Sequence, residues 1–153
     1  MLWMDEVSNC DFPLMSTRFV CTEKVKGGKI VLKARLVARG FEEDQTQLTK
    51  KSPTCTKDSF RLLLSVLASK GWKIHSIDIK SAFLQGKRLD RDIYLKPPKE
   101  ANTSKVWKLN QAVYGLCDAG RHWYDRVKNE FVNIGLVVSK LDKAVFTYCK
   151  NNV

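Results

Sequence analysis

Ser76-Ile77-Asp78-Ile79-Lys80-Ser81-Ala82-Phe83-Leu84-Gln85-Gly86 changes its pattern part-way along. Up to Ile79 it reads as the end of a β-strand, with Ile74, Ile77 and Ile79 set around polar Ser76 and Asp78. A carboxylate at the C-terminal end of a strand faces a cleft while its apolar neighbours bury in the core. Ser81 to Gln85 is compatible with a short helix that stops at Gly86, and one turn would bring the ring of Phe83 back to the same cleft. Local pattern alone favours a solvated acid followed by a core phenylalanine.

Upstream of this stretch, Thr56 is placed to cap a helix carrying Phe60, Leu63, Leu64 and Leu67 on one stripe and ending at Gly71. Asp58 in its first turn suits the helix dipole. The spacing predicts a core helix leading directly into a strand from Lys73 to Ile79. Further back, two β-rich segments, Thr17 to Val25 and Lys29 to Arg39, flank Lys26-Gly27-Gly28-Lys29, where paired glycines supply the positive φ of a tight hairpin turn. In the second segment Lys33, Arg35, Val37 and Arg39 share one face, with cations recurring about every 7 Å along the strand. That face suits a row of phosphates, or it guards an exposed edge against aggregation. Residues 1–16 have no period and read as an irregular lead-in.

Downstream, Lys87-Arg88-Leu89-Asp90-Arg91-Asp92 is a charged turn before a short strand, Ile93-Tyr94-Leu95, ended by Pro97-Pro98. Val106 to Leu109 is its return strand, and Tyr114-Gly115-Leu116 a bend. Asp118 is placed to cap a second helix with Trp123, Val127, Phe131 and Ile134 on one face and Gly135 at its end. Short strands are expected at Leu136 to Val138 and Ala144 to Cys149. This order predicts an α+β domain, a mostly antiparallel sheet with two main helices packed on it.

Lys and Arg total 27 against 16 Asp and Glu in 153 residues, a net charge of +11. An excess of that size favours a polyanionic partner, nucleic acid before anionic membrane. No run approaches the roughly 18 apolar residues of a membrane span, and the N-terminus has no apolar signal core, so an intracellular location, cytoplasmic or nuclear, is expected. Cysteines at 10, 21, 55, 117 and 149 form no C-x-x-C, and His75 and His122 complete no zinc pattern. Reduced thiols are the simplest account.

Taken together, the pieces resemble the reverse transcriptase of copia-type LTR retrotransposons. The resemblance is carried by Lys33-Ala34-Arg35-Leu36-Val37-Ala38-Arg39-Gly40-Phe41, Ser52-Pro53, Arg61-Leu62-Leu63-Leu64 and Asp78 to Gly86. It continues through Ile93-Tyr94-Leu95-Lys96-Pro97-Pro98, Tyr114-Gly115-Leu116, Arg121-His122-Trp123-Tyr124 and Asp142-Lys143-Ala144-Val145-Phe146. Each motif is weak alone; their order and spacing make the set specific.

The resemblance implies a right-hand polymerase, with fingers over about residues 17–72 and the first part of the palm over 73–150. It implies Asp78 as a catalytic carboxylate and ligand of Mg²⁺ (or Mn²⁺), with the backbone carbonyl of Ile79 completing the nucleotide-side ion. It further implies Lys33 and Arg35 on phosphates, Phe83 as a steric gate against a 2′-hydroxyl, and Gly115 where the backbone approaches the nascent pair. The implied partners are an RNA template, a DNA primer, deoxynucleoside triphosphates and other Pol segments, with no membrane. Two departures are visible. Many copia-type enzymes carry Lys-Gln-Ser-Pro after the Tyr-Gly-Leu bend, where this sequence has Cys117-Asp118-Ala119-Gly120. The family's Tyr-Val-Asp-Asp hairpin would follow the Phe146 strand, past the last residue given. The expectation is therefore a reverse transcriptase piece without its second and third carboxylates, thumb or later domains, and inactive alone. Asp90, Asp92 and Asp142 read as turn and cap residues rather than replacements. A basic nucleic-acid-binding module and a pseudogene remnant are the alternatives.

Overall fold

Gly27 and Gly28 take φ values of 54° and 75°, the left-handed pair that a two-residue hairpin turn requires. They join β2 (Leu14–Lys26) to β3 (Lys29–Ala38), which pair without interruption from Thr17↔Ala38 to Lys26↔Lys29. The computed structural model describes residues 3–8 and 10–148. Around the hairpin stand β1 (Met4–Val7), α1 (Lys57–Lys70), β4 (Tyr94–Lys96), β5 (Val106–Leu109), α2 (Ala119–Asn133), β6 (Val137–Val138) and β7 (Phe146–Thr147).

Five strands form one sheet in the order β1-β5-β4-β2-β3, and β6 pairs with β7 separately. Every neighbouring pair is antiparallel except β2 with β4. The expected mixed α+β architecture with a mainly antiparallel sheet is therefore present. Its core gathers Met4, Met15, Ala38, Ile93, Leu95, Trp107, Leu109, Ala112, Val113, Leu116 and Ala119. Burial of such side chains is the main stabilising term, about 1.5–3 kcal/mol for each fully covered Val, Leu, Ile or Met.

Three expectations need correction. The stretch 1–16, expected to be irregular, contributes β1 and the start of β2. Its apolar run is too short to show a period, yet β5 offers an edge on which Met4 to Val7 pair, and Met4 and Met15 are buried. The strand expected from Lys73 to Ile79 is instead irregular and unpaired, with Ile77 83% exposed. A strand needs a neighbour for its N–H and C=O groups, and among the described residues none borders this one.

The third concerns α1. Its ends form as the sequence dictates, with Thr56 Oγ1 accepting from Ser59 N at 3.2 Å and Gly71 at φ 64° closing the helix. None of its residues is buried, so it is not the core helix expected and does not cover the sheet. Caps are local, whereas burial needs an opposing surface. α2 packs instead on the one-turn helix Ala82–Gln85 and on β6. The strand expected to run to Cys149 is observed as β7, and Cys149 lies outside the described residues.

Candidate functional site

On a β-hairpin, directly paired residues point to the same face. The β2–β3 register therefore puts Arg18, Lys24, Lys26, Lys29, Lys33 and Arg35 on one face with no carboxylate among them. Arg39 lies beyond the end of β3, where its N–H donates to Ser16 O at 3.0 Å, so the expected row loses its last member.

The basic face forms one wall of a cleft of about 890 Å³. Lys24, Lys26, Lys33 and Arg35 line it from the hairpin, together with Asp78, Ile79, Lys80 and Ser81 and with Val113 and Tyr114. Four residues singled out from sequence, Lys33, Arg35, Asp78 and Ile79, thus meet around one space although the chain separates them by some 40 positions. Lys24, Lys26 and Lys80 were not singled out. The signal for the first two was available in the alternation of β2, but only the hairpin register joins them to Lys33. Among the described residues lining the cleft, Asp78 is the sole carboxylate against five cations. Crowded positive charge of this kind attracts phosphate groups, and the focusing effect of a cleft strengthens it.

Phe83 and Gly115 stand beside this space rather than in its lining. The Phe83 ring meets Tyr114 edge-on, with centroids 5.0 Å apart, and so backs the aromatic side chain that faces the cleft. Gly115 has φ 95°, and a Cβ there would lie 2.0 Å from Ala38 O and 2.7 Å from Val37 Cγ1. Glycine is therefore required for the bend to press on β3, where Ala38 N donates to Tyr114 O at 2.8 Å. Gly40 repeats the device, since its Cβ would sit 2.4 Å from Gly115 O. These contacts fix the basic hairpin to the segment that carries Tyr114.

Two of the carboxylates read as turn and cap residues, Asp92 and Asp142, have other partners. Asp92 Oδ1 pairs with Lys108 Nζ at 2.8 Å. Asp142 accepts from Thr56 N and Ala144 N, both at 2.9 Å, so it joins the loop after β6 to the start of α1. The Thr56 N–H, with Ser59 and Ala144, holds the Asp142 carboxyl down to about 2 from its ordinary 3.8. Asp118 occupies the position before α2 but makes no capping hydrogen bond. Its Oδ2 accepts from Arg91 Nη1 at 2.6 Å and lies 3.1 Å from His122 Nε2. The capping role expected of it is overturned by this stronger, charge-assisted partner.

Divalent ions are oxygen-seeking and near-octahedral Mg²⁺ needs several donors. Among the described residues no group of three or more His, Cys, Asp or Glu side chains is arranged to hold a metal. Asp78 alone does not fit such an ion. No helix among the described residues is long and apolar enough to cross a membrane.

Residues 8–152 match the family described as reverse transcriptase (RNA-dependent DNA polymerase). The chain is 34% identical over 143 residues to the retrovirus-related Pol polyprotein from transposon RE1 of Arabidopsis thaliana, covering 87% of this chain and 10% of that protein. Against the Pol polyprotein from transposon RE2 of the same plant it is 31% identical over 142 residues, with the same coverage of 87% and 10%. Against that of transposon TNT 1-94 from Nicotiana tabacum it is 38% identical over 100 residues, covering 60% of this chain and 7% of the other. The chain therefore spans about a tenth of the length of the first two relatives. No solved structure matches it. These matches bear out the copia-type retrotransposon resemblance carried by the ordered motifs.

Proposed function

This chain belongs to the reverse transcriptase (RNA-dependent DNA polymerase) family of retrotransposon Pol polyproteins, and on that premise we propose that its basic cleft binds the phosphates of nucleic acid and incoming nucleotide. The observation that carries the reading is one cleft lined both by Lys24, Lys26, Lys33 and Arg35 and by Asp78. In this account the β2–β3 hairpin belongs to the fingers, within 17–72, and the segments from 73 onward to the palm. The partners are an RNA template, a DNA primer and deoxynucleoside triphosphates.

The chain's own residues bind and orient. Lys33 and Arg35 hold phosphate oxygens by charge-assisted hydrogen bonds, Arg35 through its planar fork and Lys33 as a point charge. Lys24 and Lys26 extend the same rail toward the hairpin tip. Tyr114, backed by Phe83, offers an aromatic surface beside the sugar and base. Reverse transcriptases use divalent metals, and Asp78 is proposed as one carboxylate for Mg²⁺ or Mn²⁺. It needs further oxygen donors, so no chemical step is assigned to these residues alone. Template-directed synthesis is proposed for the whole Pol protein. There, Asp78→Asn is expected to lower primer extension on an RNA template by at least about a thousandfold while duplex binding is retained. Extension that survives the substitution would remove Asp78 from the chemistry.

A second reading, a basic nucleic-acid-binding module without catalysis, is favoured by the six-cation hairpin face and the +11 charge. It differs in one outcome, since binding would then matter and Asp78→Asn would change nothing in either assay.

A further inference from the structure

Arg91 sits where three distant segments meet. Its Nε donates to Glu43 Oε1 at 2.6 Å and its Nη2 to Glu43 Oε2 at 3.1 Å, a two-pronged grip. Its Nη1 donates to Asp118 Oδ2 at 2.6 Å. His122, one turn into α2, faces the same Asp118 oxygen, and the Asp118 Oδ1 atom is buried with no hydrogen-bond partner. Asp118 is 4% exposed. Burial alone would raise its carboxyl pKa, but hydrogen bonds and charge from His122 and Arg91 overcome this and hold it well below the carboxylate range.

Each partner of Arg91 lies just beyond a segment that lines the cleft. Glu43 follows the 3-10 turn Gly40–Glu42 that leaves β3, the strand of Lys33 and Arg35. Asp118 stands three residues beyond Gly115, whose backbone presses on Ala38, and opens α2. It also falls in the Cys117-Asp118-Ala119-Gly120 segment where the sequence departs from the family's usual Lys-Gln-Ser-Pro.

We propose that Arg91 is a positioning residue, a bracket between Glu43 and Asp118 that fixes the basic hairpin against the Tyr114–Gly115 wall. Asp118 is then one jaw of a built ionic clasp. This rests on the phosphate-binding reading of the cleft. A planar guanidinium suits the role because it reaches two carboxylates at once in fixed geometry, which a lysine does not.

The test uses the full chain and two readouts. The first is amide exchange, followed by NMR, at Ala38, whose N–H donates to Tyr114 O across the two walls. In Arg91→Met, and equally in Arg91→Lys, exchange at Ala38 is expected to accelerate about tenfold or more while the hairpin amides of Lys24 and Lys33 stay as they were. Uniform acceleration would reduce Arg91 to general stability, and an unchanged Ala38 would remove the bracket; either overturns the proposal. The second readout is binding of an RNA–DNA duplex against salt. Arg91→Met is expected to weaken binding about tenfold at an unchanged salt slope, because Arg91 touches no phosphate. A slope reduced by about one would mean that Arg91 itself neutralises a phosphate and would overturn the positioning role. If the unaltered chain binds no duplex at low salt, the phosphate-binding reading fails, and the Ala38 readout alone decides the bracket.

Discussion

The two halves of this protein differ in how their apolar residues are used. In the sheet half, Leu95 and Ala112 are wholly buried and Val113, Leu109 and Ala38 are each 2% exposed. In the half formed by α1 and residues 72–80, Phe60, Leu62, Trp72, Ile74 and Ile77 are all more than 50% exposed. Both halves carry apolar runs in sequence, so composition does not separate them. What separates them is a partner surface. The centre of the sheet finds one in β1, the bend at 113–116 and the start of α2, whereas the hairpin tip with Val25, Ile30 and Leu32, α1 and the irregular segment before Asp78 have no cover. The cleft draws its lining from both, Lys33 and Arg35 from the sheet and Asp78 from the segment after α1.

The largest effect expected from this contrast is in the core. Leu95→Ala should destabilise the fold by about 2–5 kcal/mol, read as a shift in the denaturant midpoint at unchanged slope. Equal tolerance at Leu95 and in α1 would break the comparison. A smaller effect follows from the carboxylate that ties the start of α1 to the loop after β6. Asp142 titrates at about 2 in the folded protein against 3.8 ordinarily. The unfolded chain therefore takes up this proton first, and stability present above about pH 4 is lost as pH falls toward 2. Asp142→Asn should flatten that decline in acid-unfolding curves; a steeper decline would refute the assignment. The smallest effect is expected at Leu63, 38% exposed on α1, where Leu63→Ala should cost less than about 1 kcal/mol by the same denaturation measurement.

Local signals in the sequence are legible where local physics decides the outcome. The Gly27-Gly28 turn, the Thr56 and Gly71 caps and the β4–β5 return are all settled by backbone preferences within a few residues. Lys33, Arg35, Asp78 and Ile79 can also be named, because ordered motifs carry them. Burial is not legible. An amphipathic stripe states which face seeks cover, and says nothing of whether a covering element exists, so α1 and residues 73–79 differ from expectation. β1 escapes detection for the converse reason, since four residues show no period and the pairing edge lies a hundred positions away. Asp118 differs from its expected role because its local position suits a cap, while Arg91, distant in sequence, competes for the same oxygen.

The central claim is that the β2–β3 face and the Asp78 segment make one phosphate-binding cleft. Its most direct test is the salt dependence of RNA–DNA duplex binding in metal-free buffer. The account predicts that Lys33→Met with Arg35→Met lowers the salt slope by about two, one for each phosphate no longer neutralised. It also predicts that Asp78→Asn, which removes the only negative side chain among the described residues lining the cleft, leaves binding as tight or tighter. An unchanged slope in the double variant, or weaker binding without the Asp78 charge, would contradict it.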